Sequence, residues 1–226
     1  MNSLCIIPAR GGSKRIPRKN LKFFLGKPIL LYSIEIALES GLFDEVMVST
    51  DDEEIKEIAL ANGAEVPFLR DPKTSDDHST LNDVFWEVVN KYDEKGKTFN
   101  YHCLMLPTAP LITVELLQKA KNLLNDSTFD SVRPIVEFPY PVQRAQRLNI
   151  NGQVSFINAE YSRTRSQDLE QYFYDAGMFY FIRKGKDLTQ NKGAFTIKSI
   201  LSQDIDNHED WEIAEFKYKY LKAKGL

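Results

Sequence analysis

The residues best suited to chemistry stand together near the start, in LCIIPARGGSKRIPRKN, Leu4 to Asn20. Gly11, Gly12 and Ser13 lie among five cations, Arg10, Lys14, Arg15, Arg18 and Lys19. Adjacent glycines let backbone N–H groups approach an anion unobstructed, and Lys and Arg supply the opposite charge. A glycine turn beside a solvated basic patch would look similar. The order of apolar strand, tight turn and cations favours a phosphate site. The loop is not a Walker A motif, because no Lys-Ser/Thr pair follows Gly12. Nor is it a dinucleotide fingerprint, because no third glycine stands at the required spacing.

A second constellation lies near the other end, where Asp204 and Asp206 flank Ile205. In extended chain, side chains two apart point the same way, so both carboxylates can face one pocket while Ile205 packs inward. Paired carboxylates opposite a cationic loop suit a Mg²⁺ ion bridging protein and polyphosphate. The competing use is a helix cap made by Asp206 or Asn207. A third group is RTRSQD, Arg163 to Asp168, with Arg144 and Arg147 nearby. Guanidiniums grip carboxylates with two prongs, so an acidic sugar would suit Arg163 or Arg165, although a surface salt-bridge cluster would use the same residues. The histidines, His78, His102 and His208, form no zinc spacing, and no serine sits in a nucleophile elbow.

With 226 residues and a formal net charge of -3, the chain suits one α/β domain over 1–226, and its basic loop is a local feature. That argues for a small anionic ligand and against nucleic acid. Cys5 and Cys103 each sit in an apolar run, as buried thiols of a reducing compartment would. Neither a charged leader nor a membrane-length apolar run is present, so a cytoplasmic location is expected.

The elements that must hold these groups alternate. Leu4 to Ile7 reads as a strand, and ILLYSIEIALES as a helix between Pro28 and Gly41. Asp44 to Thr50 is a second strand, DDEEIKEIALANG a second helix, and Glu65 to Leu69 a short third strand. Ser79 or Thr80 can cap a helix through VFWEVVNKY, YHCLMLP is an apolar strand, and 113–124 an amphipathic helix. The pattern predicts a doubly wound, parallel sheet, with the segments after Ile7, Thr50, Leu69 and Leu106 sharing one mouth. SVRPIVEF reads as a further strand. An excursion at about 138–172 then carries a hairpin signal at Asn151-Gly152. AGMFYFI returns as a strand, and an acidic turn feeds a last amphipathic helix.

Taken together, IIPARGGSKRIPRKN, the PTAP after a central strand, RSQD, DAGMFYF and QDIDNHEDW resemble the CMP-sialic acid synthetase family of cytidylyltransferases, in order and over nearly the whole chain. KRIPRKN, FPYPVQRA, and RSQD followed by YDAGMFYF are similar to the branch of that family that activates pseudaminic acid. The resemblance implies a Rossmann-like, mostly parallel sheet of the nucleotidyltransferase type, with the excursion making dimer and sugar contacts. It also implies Mg²⁺-dependent transfer of CMP from CTP to a nonulosonic acid by a homodimer. Ala9, Arg10, Gly11, Gly12, Ser13, Lys14, Lys19, Asn20, Arg70, His78 and Thr80 would then hold the nucleotide, and Arg144, Arg165, Gln167 and Tyr180 the sugar. Asp204 and Asp206 would hold the metal, with Arg10, Lys19 and Asp206 catalytic. Leu106 stands where sialic acid synthetases commonly carry Gln, and Ala176 where they carry Asn. Both favour a more deoxygenated sugar over N-acetylneuraminate. The remaining alternatives are CMP-N-acetylneuraminate or CMP-legionaminate synthesis, activation of an eight-carbon 3-deoxy-octulosonate, and a nucleotide sensor or scaffold without turnover.

Overall fold

Alternation with a period of two decides how the first strand is buried on both sides. In β1 (Ser3–Pro8), Leu4 and Ile6 face one layer while Cys5 and Ile7 face the other. The computed structural model describes residues 2–76 and 79–225. After β1 come the two-residue strands β2 (Phe23–Phe24) and β3 (Lys27–Pro28), helix α1 (Ile29–Glu39), β4 (Glu45–Ser49), α2 (Glu53–Ala61) and α3 (Leu81–Glu94). They are followed by β5 (Tyr101–Met105), α4 (Val114–Asn125), β6 (Ser131–Glu137), the hairpin β7 (Gln146–Leu148) and β8 (Val154–Phe156), and β9 (Phe173–Asp175). The chain ends with β10 (Phe179–Arg183), β11 (Lys192–Ile197) and α5 (His208–Ala223).

The main sheet runs β11-β6-β10-β5-β1-β4, with β9 paired to β6. Pairs β1–β4, β1–β5 and β11–β6 are parallel, whereas β10 runs antiparallel to both β5 and β6. β9 also runs antiparallel to β6, so the sheet is mixed and not the purely parallel one that the βα alternation predicts: β4, β1, β5, β6 and β11 run one way, β10 and β9 the other. α1 and α4 cover one face through Leu30, Ile34, Leu117 and Leu124, and α3 covers the other through Phe85, Val88 and Tyr92. Each such buried side chain contributes about 1.5–3 kcal/mol. Cys5 and Cys103 are register partners on β1 and β5, both free and buried.

Helix punctuation follows the sequence closely. Gly41, with φ of 61°, lies just beyond α1, and Asp52 caps α2 by accepting the Ile55 N–H at 3.0 Å. Thr80, not Ser79, caps α3 in a capping box with Asp83. Two expectations need correction. The strand expected at Glu65–Leu69 is a single bridge between Met47 and Glu65, because Pro67 has no N–H to extend the ladder. The strand read from Ala176 begins at Phe179, since Gly177 turns the chain with φ of 62°. Strand β11 was not anticipated. Its KGAFTI carries few large apolar residues, yet it pairs with β6 from Ser131 to Val136 as an edge.

The excursion holds the expected hairpin, with Gly152 at φ of 77° in its turn. Buried Gln143 fastens its base by donating to the Glu170 carbonyl at 2.8 Å.

Candidate active site

A minor core, separate from the two faces of the sheet, assembles the site. Ile16 of the opening loop and Ile205 of the acidic segment are both buried, packed with Phe24, Ile29, Tyr32 and Trp211. Ile205 turns inward as alternation requires. This packing brings the cationic loop against the carboxylates, and Lys19 completes the join by donating from Nζ to the Ile205 carbonyl at 2.6 Å. Burial lowers the Lys19 pKa, and the neighbouring Asp206 and Asp204 oppose that shift.

Asn207 caps α5 in a capping box with Asp210, so the cap expected from either Asp206 or Asn207 is made by Asn207. Asp206 gives its backbone N–H to Asp210 at 2.9 Å, and its carboxylate meets Arg15 at 2.8 Å. Asp204 is pushed up by burial first and by Asp206 second. The two carboxylates thus share a half-buried cleft with surplus negative charge. That cleft, of about 330 Å³, is lined also by Tyr174, Asp175, Gln203 and Lys217. Among the described residues no cluster of three His, Cys, Asp or Glu side chains is set to hold a metal alone. The paired carboxylates beside the cationic loop have the oxygen-donor chemistry that would suit a Mg²⁺ ion shared between one or two protein carboxylates and a phosphate ligand.

The loop's other flank rests on the turn after β4. Ala9 donates to the Ser49 carbonyl at 2.9 Å, and the Gly11 N–H donates to Asp51 Oδ1 at 3.0 Å. A Cβ at Gly11 would lie 2.5 Å from Asp52 Oδ2, whereas one at Gly12 would meet nothing within 4 Å. Ser13 turns back by donating its N–H to the Gly11 carbonyl at 3.1 Å. Arg10 reaches the Asp76 carbonyl at 2.7 Å from Nη1, and Lys14 is exposed at the loop's crest. Asn20 is buried and gives its side-chain N–H to the Arg10 carbonyl at 2.9 Å, so it shapes the loop from below.

Arg70 is also buried. It braces the end of β4 by donating from Nε to Ser49 Oγ at 3.0 Å and from Nη2 to the Ser49 carbonyl, and desolvation pushes its pKa down to about 10. Residues after Ile7, Thr50 and Leu69 therefore meet at one mouth. The segment after Leu106 joins through the Leu106 N–H to Met178 carbonyl bond at 2.8 Å, next to the Gly177 turn that lies against Asp204. Thr80 commits its hydroxyl to the α3 cap. His78 lies outside the described residues.

The residues expected at the sugar do not gather in one place within the chain. Arg165 is exposed and forks onto Asp168 at 2.7 and 3.1 Å. Gln167 lines a groove with Tyr140, Pro141 and Tyr172, and half-buried Arg144 lies at the base of the hairpin. Tyr180 is buried on the α3 face under the Arg133 guanidinium, 4.7 Å from the ring centre, and desolvation raises its phenol. The lining of the Asp204 cleft includes no residue of 138–172. Asp51 and Asp52 flank the loop without being singled out by the sequence, whereas Arg15, one of the five loop cations, meets Asp206. The one sequence signal for these two acids is their position directly after a strand end at the mouth, ahead of a helix.

Comparison with known proteins places this geometry. Residues 4–211 match the family model described as cytidylyltransferase. The chain is 43% identical to a pseudaminic acid cytidylyltransferase of Campylobacter jejuni, covering 97% of each chain. It is 30% identical to a CMP-N,N'-diacetyllegionaminic acid synthase of Legionella pneumophila over 100% of both. In fold it resembles a CMP:2-keto-3-deoxy-manno-octonic acid synthetase solved with CTP, with a TM-score of 0.69 and 19% identity over 100% of both chains. The cationic glycine loop, the mixed sheet and the facing acidic segment are thus those of a member of the cytidylyltransferase family, to which this chain belongs.

Proposed function

We propose that this cytidylyltransferase transfers CMP from CTP to a nonulosonic acid, with pseudaminic acid preferred, releasing pyrophosphate. The observation that carries the reading is the Lys19 bond to Ile205, which sets the glycine loop against Asp204 and Asp206. The sugar's anomeric hydroxyl attacks the α-phosphorus and loses its proton to solvent as the new O–P bond forms, and the bond from the α-phosphorus to the bridging oxygen of the leaving pyrophosphate breaks in line. No protein nucleophile is needed. Arg10, Lys14 and Lys19 supply positive charge where it accumulates on the phosphates, and the turn at Gly11 and Gly12 brings the backbone close. Asn20 and Arg70 hold that turn in shape.

Asp204 and Asp206 would hold Mg²⁺, which when bound supplies charge neutralisation at the phosphates. Half-buried Leu106 and buried Ala176 give the sugar end an apolar wall, which supports a deoxygenated nonulosonate, as does the 43% identity to the Campylobacter enzyme. Arg144, Arg165, Gln167 and Tyr180 are the candidates for sugar contact. The excursion exposes Tyr140, Leu148, Ile150 and Val154, which supports a homodimer formed there. Among the described residues no helix is long and apolar enough to cross a membrane, and a cytoplasmic location fits an enzyme using CTP.

The test is pyrophosphate release by the purified protein with Mg²⁺, CTP and a panel of pseudaminic, legionaminic, N-acetylneuraminic and 3-deoxy-octulosonic acids. Pseudaminic acid should give the highest kcat/KM. Silence with every acid would remove the enzymatic reading and leave a nucleotide sensor. Light scattering should report a dimer, and Ile150→Asp should shift it toward monomer.

A further inference from the structure

Arg18 alone among the residues of the opening loop has a positive φ, at 53°. Glycine adopts that conformation without penalty, so an arginine there implies a use for its side chain. The guanidinium is held by carboxylates beside the glycine turn. It forks across the lip to Asp52, with Nη2 to Oδ1 at 3.2 Å, and to Glu54. Asp52 is already fixed as the cap of α2, and it is the residue packed against Gly11. Its neighbour Asp51 holds the Gly11 N–H. With two carboxylates on it, Arg18 has little net charge left to offer an incoming anion.

We propose that Arg18 is a positioning residue of the nucleotide site, clamping the glycine turn to the N-terminus of α2 through Asp52 and Glu54 without touching the triphosphate. The proposal rests on the reading of that loop as the CTP site. It differs from the obvious role for a loop arginine, direct phosphate contact, in the sign of one effect. Removing the Glu54 charge loosens the clamp and weakens CTP binding if Arg18 positions the turn. The same change frees a cation and strengthens CTP binding if Arg18 meets phosphate.

The experiment compares wild type, Glu54→Gln, Arg18→Gly and Arg18→Lys by steady-state kinetics and by amide hydrogen exchange over residues 11–20 of the free protein. Glu54→Gln should raise KM for CTP about threefold and Arg18→Gly about tenfold, both with kcat and KM for the sugar nearly unchanged. Arg18→Lys should fail to restore the wild-type KM, because an ammonium cannot fork. Exchange should quicken in Glu54→Gln and Arg18→Gly. A lower KM in Glu54→Gln, full function in Arg18→Lys, or unchanged exchange would each overturn the clamp. If wild type itself turns over no acid, the CTP reading fails, and the exchange measurement still decides whether the clamp exists.

Discussion

Lys19 Nζ donates to the carbonyl of Ile205 at 2.6 Å, across 186 positions of sequence. That bond ties the loop that would carry phosphate to the segment that would carry metal. Lys19→Met removes both the tether and a half-buried cation beside Asp204 and Asp206. Turnover should fall roughly 100-fold, with KM for the sugar little changed. Kinetics paired with a melting curve check this; a loss of activity explained wholly by unfolding would count against it.

Asp206→Asn keeps the backbone N–H to Asp210 and leaves the Asn207 cap intact. The folding midpoint should therefore stay within about 2 °C, as for exposed substitutions that spare a cap. The Mg²⁺ needed for half-maximal rate should rise and kcat should fall by orders of magnitude. Unchanged turnover would show that Asp206 is only a partner for Arg15.

Gly11 and Gly12 are neighbours with opposite tolerance. An alanine at 11 meets Asp52 Oδ2 at 2.5 Å, whereas one at 12 meets open space. Gly11→Ala should lower thermal stability and raise KM for CTP. Gly12→Ala should leave the melting temperature unchanged, and any rise in its KM for CTP then reports close approach of phosphate to the backbone. Equal destabilisation by both would contradict the packing described.

His102 is buried on the α3 face between Phe85 and Phe99, with Nδ1 unpartnered, and desolvation pulls its pKa from 6.5 down to about 4. The folded state resists protonation that the unfolded state accepts. The resulting stability is complete above about pH 6.5 and is lost as pH falls toward 4, amounting to roughly 3 kcal/mol. His102→Phe should flatten the dependence of unfolding free energy on pH across that window, measured by urea titration. An unaltered slope would place the acid sensitivity elsewhere.

Much of the fold was legible because local rules and global packing agree in it. Pro28, Gly41, Asp52 and Asn207 punctuate helices where their chemistry directs, and alternation turned Ile205 inward between its two acids. What sequence could not supply was pairing. β11 has little apolar content and exists because β6 offers it an edge, and Glu65 makes one bridge before Pro67 stops the ladder. The loop cations were legible as a group and not individually, because which carboxylate each one meets depends on contacts distant in sequence. Arg15 meets Asp206, and Arg18 meets Asp52 and Glu54. Asn20 and Thr80 carry the same lesson, since both serve local structure in the free protein at positions where the family resemblance suggested ligand contact.

The most direct measurement is ³¹P NMR of the protein with Mg²⁺ and CTP before and after pseudaminic acid is added. The three CTP resonances should persist without the acid, then give way to one phosphodiester and an equal amount of pyrophosphate. Persistence of CTP after every nonulosonic acid, or release of inorganic phosphate with no phosphodiester formed, would contradict transfer of CMP to the acid.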